Sequence, residues 1–130
     1  MNLLLDTNAL IYLLSSKEGT GLGEQAKRQL AQSNTVYVSA ISIVEIRIKV
    51  MLGKLKAPDD LLMVIKQAGL QELAFNFLAA NGLVDFPELV RHDPFDRMLL
   101  SQTQAHDLQL LTTDKVLLSL DLPYVVDASA

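Results

Sequence analysis

The chain has 130 residues, 50% of them apolar, which is enough for one compact domain with a core of its own. Its 11 Lys and Arg stand against 15 Asp and Glu, and the formal net charge of -4 excludes a protein that grips nucleic acid or membrane through a broadly basic surface. The absence of cysteine excludes disulfide frameworks, thiolate zinc sites and cysteine nucleophiles, and two histidines leave little room for a His-rich metal centre.

Met1-Asn2-Leu3-Leu4-Leu5 has no basic lead and runs into Asp6, so no signal peptide is expected. The longest uncharged stretch, Gln29 to Val44, is too short and too polar to span a bilayer. Together these predict a soluble cytoplasmic protein with no membrane partner, folded as a single domain over residues 1–130.

Asn2 to Leu5 is an apolar run stopped by Asp6-Thr7-Asn8 and reads as a buried strand turning into a helix over Ala9 to Leu14. Ser15 to Gly23 reads as a loop, Glu24 to Gln32 as a polar helix, and the β-branched, aromatic Thr35 to Ser39 as a second strand. Val44 to Val50 alternates with a strand's period, but helical signals outweigh the alternation. Ser42 and Glu45 form a capping box, Glu45 and Lys49 an i,i+4 pair, and Gly53 stands where a helix would end. A further helix over Pro58 to Ala68 precedes a third strand over Leu70 to Phe75. Asn76 to Val84 looks helical, and Asp85 to His92 is a connector. Asp93-Pro94 starts a helix that runs to about His106, with Asp93 as N-cap. Leu108 to Thr113 is a buried strand stopped by Asp114, and after a short helix Pro123 to Val126 reads as an edge strand. The alternation predicts an α/β fold, a central parallel sheet of four to five short strands with helices on both faces.

In such a sheet the ligand site lies at the carboxyl ends of the strands, where the strand order reverses. Asp6 ends the first strand, Glu45 falls in the first turn of the helix after the second, Asp96 in the first turn after Pro94, and Asp114 ends the fourth strand. Right-handed crossovers bring all four to one rim. Two carboxylates about 4 Å apart repel by roughly 4 kcal/mol at an effective dielectric near 20, so the cluster needs a cation. Hard oxygen ligands suit Mg2+ or Mn2+ rather than zinc, and such ions activate water for phosphodiester hydrolysis. Each acid also has a structural explanation as a cap, a first-turn acid or a turn residue, and only their joint placement favours chemistry. His92 reads as a connector residue and His106 as a helix-end residue. Arg47, Lys49, Lys54 and Lys56 form a positive strip that either tracks phosphate or is a solvated face. Tyr12, Tyr37 and Tyr124 are too scattered for a stacking platform.

The whole chain resembles the PIN-domain ribonucleases, and among them the VapC-type toxins of toxin-antitoxin systems. Leu4-Leu5-Asp6-Thr7-Asn8 resembles the opening motif, Ser39 to Ile46 the second block, His92-Asp93-Pro94-Phe95-Asp96-Arg97-Met98-Leu99 the third, and Leu111-Thr112-Thr113-Asp114 the fourth. Lys115 to Leu120 is more aliphatic than that pattern. The resemblance implies the PIN-like three-layer fold and a Mg2+- or Mn2+-dependent endoribonuclease. Asp6, Glu45, Asp96 and Asp114 would be its catalytic and metal-binding acids, and Thr113 and Asn8 would support them. It further implies an RNA substrate, a cognate antitoxin that masks the site, and a homodimer. Two alternatives remain. A haloacid-dehalogenase-like phosphatase would need a second aspartate where Asn8 stands. A non-catalytic receiver-like module would show adjacent acids where Thr7 follows Asp6.

Overall fold

The computed structural model of the protein describes residues 2–15 and 21–130. Residues 16–20 of the loop expected over Ser15 to Gly23 lie outside the described residues. Five parallel strands, β1 (Asn2–Leu5), β2 (Thr35–Ser39), β3 (Gln71–Leu73), β4 (Gln109–Thr112) and β5 (Val125–Asp127), form one sheet in the order β3-β2-β1-β4-β5. This is the expected parallel sheet, and β1 is the strand at which the direction of winding reverses. The edge strand begins at Val125, two residues past Pro123, and hydrogen-bonds in parallel to β4.

The two faces of the sheet explain why the strands read as unbroken apolar runs rather than alternating ones. Leu5, Val38 and Leu111 pack on one face against Ala9, Leu10, Ala26, Ile46, Leu61 and Ile65. Leu4 and Leu110 pack on the other against Phe86, Leu89, Leu99, Leu100 and Leu117. Neighbours one apart along a strand therefore point into different cores, and both need aliphatic side chains. The first core is roofed by α1 (Thr7–Leu14), α2 (Glu24–Gln32), α3 (Ala40–Met51) and α4 (Leu61–Gln67). The second is covered by α6 (Pro94–Ala105), α7 (Lys115–Ser119) and the 3-10 turn Pro87–Leu89. Between them, α5 (Phe77–Asn81) continues into a 3-10 turn over Gly82–Asp85, as the helical reading of Asn76 to Val84 anticipated. No helix among the described residues is long and apolar enough to cross a membrane.

The strand-like alternation of Val44 to Val50 is indeed helical, in α3, but the expected capping box is corrected. The helix starts earlier, with Ser39 as N-cap accepting from the Ile41 N–H at 2.9 Å. Glu45 therefore falls in the second turn, not the first. At the other end Gly53, at φ +72°, closes the helix in a Schellman motif: its N–H bonds Val50 O at 3.0 Å and the Lys54 N–H bonds Lys49 O at 2.9 Å. Gly23 answers a different constraint. A Cβ there would lie 1.8 Å from Ala130 O, because residues 128–130 run back against the start of α2, where Gly23 N–H bonds Ala128 O.

Candidate active site

Asp6 leaves the end of β1 and caps α1, its Oδ1 accepting from the Ala9 N–H at 2.7 Å. Its Oδ2 accepts from the Thr112 hydroxyl at the end of β4. Cap and site are therefore the same side chain, and a carboxylate with about four lone-pair positions still has capacity to spare. Thr112 Oγ1 also accepts from the Asp114 N–H at 2.9 Å, so one hydroxyl fixes two acids. Asp114 in turn caps α7 through the Leu117 N–H at 2.9 Å.

Asp96 enters from the first turn of α6, where Asp93 is the N-cap and Pro94 the first helical residue. The placement of Asp93 is that expected from Asp93-Pro94. Asp96 and Asp114 come within one ligand sphere together with His92, each residue offering an atom within 4.8 Å of the others'. His92 Nε2 lies 3.4 Å from Asp96 Oδ2 and 3.4 Å from Asp114 Oδ2. That nitrogen is solvent-inaccessible and aligned with neither oxygen for a hydrogen bond.

Glu45 is held apart from this group by its own partners. It is buried, 4% exposed, accepting from the Thr7 hydroxyl at 2.7 Å and pairing with Lys49 Nζ at 2.7 Å. Thr7 Oγ1 also lies 3.1 Å from Ser42 Oγ, so Ser42 serves α1 rather than its own helix end. The Glu45–Lys49 pair is the expected one, but it divides the positive strip. Arg47 and Lys49 are two residues apart on a helix and face different ways. Lys49 turns to the acids, whereas Arg47 reaches the Asp59 carbonyl and Lys54 and Lys56 are exposed.

The electrostatics show unbalanced negative charge. Burial, then the charges of Asp93 and Asp114, push Asp96 up to about 8. Burial likewise raises Asp6, against the hydrogen bonds from Thr112, Ala9 and Thr113, and the Asp114 charge adds to the rise. Burial also pulls Asp114 upward, but the Leu117 N–H, the Asp96 carboxyl and the His92 charge outweigh it and hold Asp114 below the ordinary range. Asp96 and Asp114 are thus pushed in opposite directions, Asp96 upward and Asp114 downward. The Glu45 hydrogen bond raises Lys49, burial opposes this, and the charges of Glu45, Asp93 and Asp96 add to the rise.

The fold thus brings Asp6, Asp96 and Asp114 into electrostatic contact at one rim, with Glu45 joined to them through Lys49. Thr113 contributes its backbone N–H to Asp6, and the hydroxyl that reaches Asp6 is that of Thr112. Asn8 is exposed. Sequence reasoning missed Thr112, Thr7 and His92. The signal for His92 was its place one residue before the cap of α6 and four before Asp96.

Comparison with known proteins agrees with this geometry. A search of the curated proteins finds no match. Among solved structures, a toxin-antitoxin complex from Klebsiella pneumoniae shares 20% identity and a TM-score of 0.64, over 96% of this chain and 96% of that one. VapBC2 from Rickettsia felis, bound to a DNA fragment from its promoter, shares 18% identity and a TM-score of 0.66, over 97% of this chain and 96% of that one. DNA-bound VapBC from Salmonella typhimurium shares 22% identity and a TM-score of 0.65, over 96% and 95% of the two chains. The PIN domain family matches residues 3–122, which include both the strand-end and the helix-start acids. That match sets aside the phosphatase and receiver alternatives, and with the β3-β2-β1-β4-β5 sheet it establishes that the chain belongs to the PIN-domain family.

Proposed function

We propose that the protein is a cytoplasmic, Mg2+- or Mn2+-dependent endoribonuclease, the toxin of a toxin-antitoxin pair, with Asp6, Glu45, Asp96 and Asp114 as its acidic site. The observation that carries this reading is geometric: Asp96 and Asp114, carboxyls from separate segments, each offer an oxygen within 4.8 Å of the other and of His92, and burial with the Asp93 and Asp114 charges disfavours an ionised Asp96 there. A cation relieves that repulsion, and His92 Nε2, closed to solvent and 3.4 Å from both carboxylates without a hydrogen bond to either, lies beside the pair. The donor set fits a divalent ion, held by Asp96 and Asp114 with Asp6 adjoining.

When bound, a divalent ion supplies the charge that activates water and stabilises the leaving oxygen of a phosphodiester. The chain's own groups set the stage. Ala9 and Thr112 fix both oxygens of Asp6, Leu117 fixes Asp114, and Thr7 with Lys49 fixes Glu45. Lys49, beside Asp93 and Asp96, is a cationic side chain at this rim and is suited to meet an RNA phosphate. The similarity to toxin-antitoxin complexes supports an antitoxin as the partner that covers the rim. A homodimer is supported by Val44, Ile48, Met51 and Leu52, which expose an apolar stripe along α3.

The reading is tested with purified protein and single-stranded or structured RNA. Cleavage should require Mg2+ or Mn2+, stop with chelator, and fall at least 100-fold in Asp96→Asn. Folded Asp96→Asn that cleaves as fast as the unaltered protein would overturn it.

A further inference from the structure

His92 is not an acid and belongs to none of the residues assigned above to the acidic site, yet it has the geometry of a ligand. Its Nε2 stands 3.4 Å from one carboxylate oxygen of Asp96 and 3.4 Å from one of Asp114, and is closed to solvent without making a hydrogen bond to either. Around a first-row cation with ligands at about 2.1 Å, adjacent donors lie about 3.0 Å apart in an octahedral arrangement and about 3.4 Å apart in a tetrahedral one. The two measured separations fall at the upper end of that range. A nitrogen so placed, aimed at neither oxygen and equidistant from both, sits as a third donor sits.

The segment that carries His92 is held for this purpose. The His92 N–H bonds Leu89 O at 3.0 Å, fixing the residue at the end of the Pro87–Leu89 turn, and buried Leu89 anchors that turn in the core. One residue later Asp93 caps α6, so His92 precedes and Asp96 follows the helix start, four residues apart with Nε2 and Oδ2 3.4 Å from each other. His92 and Asp114 come together only through the fold, since they lie on different segments of the chain.

We infer that His92 is a metal ligand, completing a nitrogen-and-oxygen set with Asp96 and Asp114 that favours a transition-metal cation such as Mn2+ or Co2+ over Mg2+. The inference rests on the proposal that the acids hold a divalent ion, and adds which ion they hold best. Oxygen-only sites suit Mg2+, whereas an imidazole nitrogen adds affinity along the first-row series and contributes little to Mg2+.

The test is binding, read apart from catalysis. Protein loaded with Mn2+ should show nitrogen modulation from a directly bound imidazole in pulsed electron paramagnetic resonance, and His92→Ala should lose it. By titration calorimetry His92→Ala should weaken Mn2+ about 10- to 100-fold and Mg2+ less than about 3-fold. His92→Gln, which keeps the size and polarity of the side chain, should behave like His92→Ala, and its unfolding temperature without metal checks that the fold survives. Mn2+ bound without nitrogen modulation, or equal losses for the two ions, would overturn the role of His92 while leaving the acidic site intact if RNA is still cleaved. Failure of the unaltered protein to bind Mn2+ at all would overturn both readings.

Discussion

Thr112 shows how much of the site depends on single atoms. Its hydroxyl donates to Asp6 and accepts from the Asp114 N–H, so Thr112→Val removes both bonds while preserving the packing volume. The buried carboxylate left behind loses a donor, at a cost of about 1–3 kcal/mol, and the unfolding midpoint should fall accordingly, with RNA cleavage falling at least 10-fold. Asp96 carries the pH dependence. Its carboxyl is raised from 3.8 to about 8, so between those values the folded protein holds a proton that the unfolded chain has released. Stability without metal therefore falls as pH rises through that window, and Asp96→Asn should flatten the slope and stabilise the metal-free protein at pH 8. Thermal unfolding in chelator from pH 5 to 9 checks this, and a slope unchanged by Asp96→Asn would remove Asp96 as its source. Asp93→Asn should leave cleavage within a few-fold, since Asn caps helices as well as Asp does. Sequence spacing finds acids at strand ends, but it does not say which of two adjacent threonines points at them. A shift of one residue along a strand turns the side chain to the other face. Thr113 was the reading from resemblance, and the register of β4 gives the hydroxyl contact to Thr112.

Among the elements, α3 is where pattern and packing diverge most. Its alternation resembles a strand because Ile46 and Val50 join the first core, Ile41 packs against the second, and Val44 and Ile48 face outward. A helix lodged beside a strand end between two cores has apolar residues on several sides, which blurs its period. The signals that remained legible were local ones, the Glu45–Lys49 pair and the closing Gly53. The start was not legible, because Ser39 and Ser42 are both good caps and tertiary contacts choose between them. Ser42 meets Thr7 of α1, and Ser39 donates to the buried Gln102 on α6, whose amide also bonds Ala74 O at 3.2 Å. Through Ser39 and Gln102 the helix bearing Glu45 is tied to the helix bearing Asp96. Ser39→Ala should therefore cost about 1–2 kcal/mol, at the upper end for a lost cap, because Gln102 Oε1 is orphaned with it. The outward stripe gives a separate expectation. If the homodimer proposed above forms through this stripe, Met51→Glu, at a residue 84% exposed, should leave the unfolding temperature nearly unchanged and yield a monomer in light scattering where the unaltered protein gives a dimer.

At the level of the whole molecule, the parallel sheet and its two aliphatic cores were readable because a strand buried on both faces is apolar at every position, as Leu3-Leu4-Leu5 and Leu110-Leu111 are. The rim followed from chain order, since every strand runs the same way and places its end on one side. What chain order left open was how β1 divides its neighbours, β2 on one side and β4 on the other. That division has a consequence in time. The Asp6–Thr112 bond joins residues 106 apart, and β1 receives its second neighbour only when β4 has been made. While the ribosome is still building the chain, Asp6 waits without Thr112 or Asp114, and Leu4 and Leu5 lack half their cover. A nascent chain arrested before residue 109 should expose its aliphatic strand to chaperones and bind no Mn2+. The acidic rim is therefore assembled late, once β4 and Asp114 have followed β1 by more than a hundred residues.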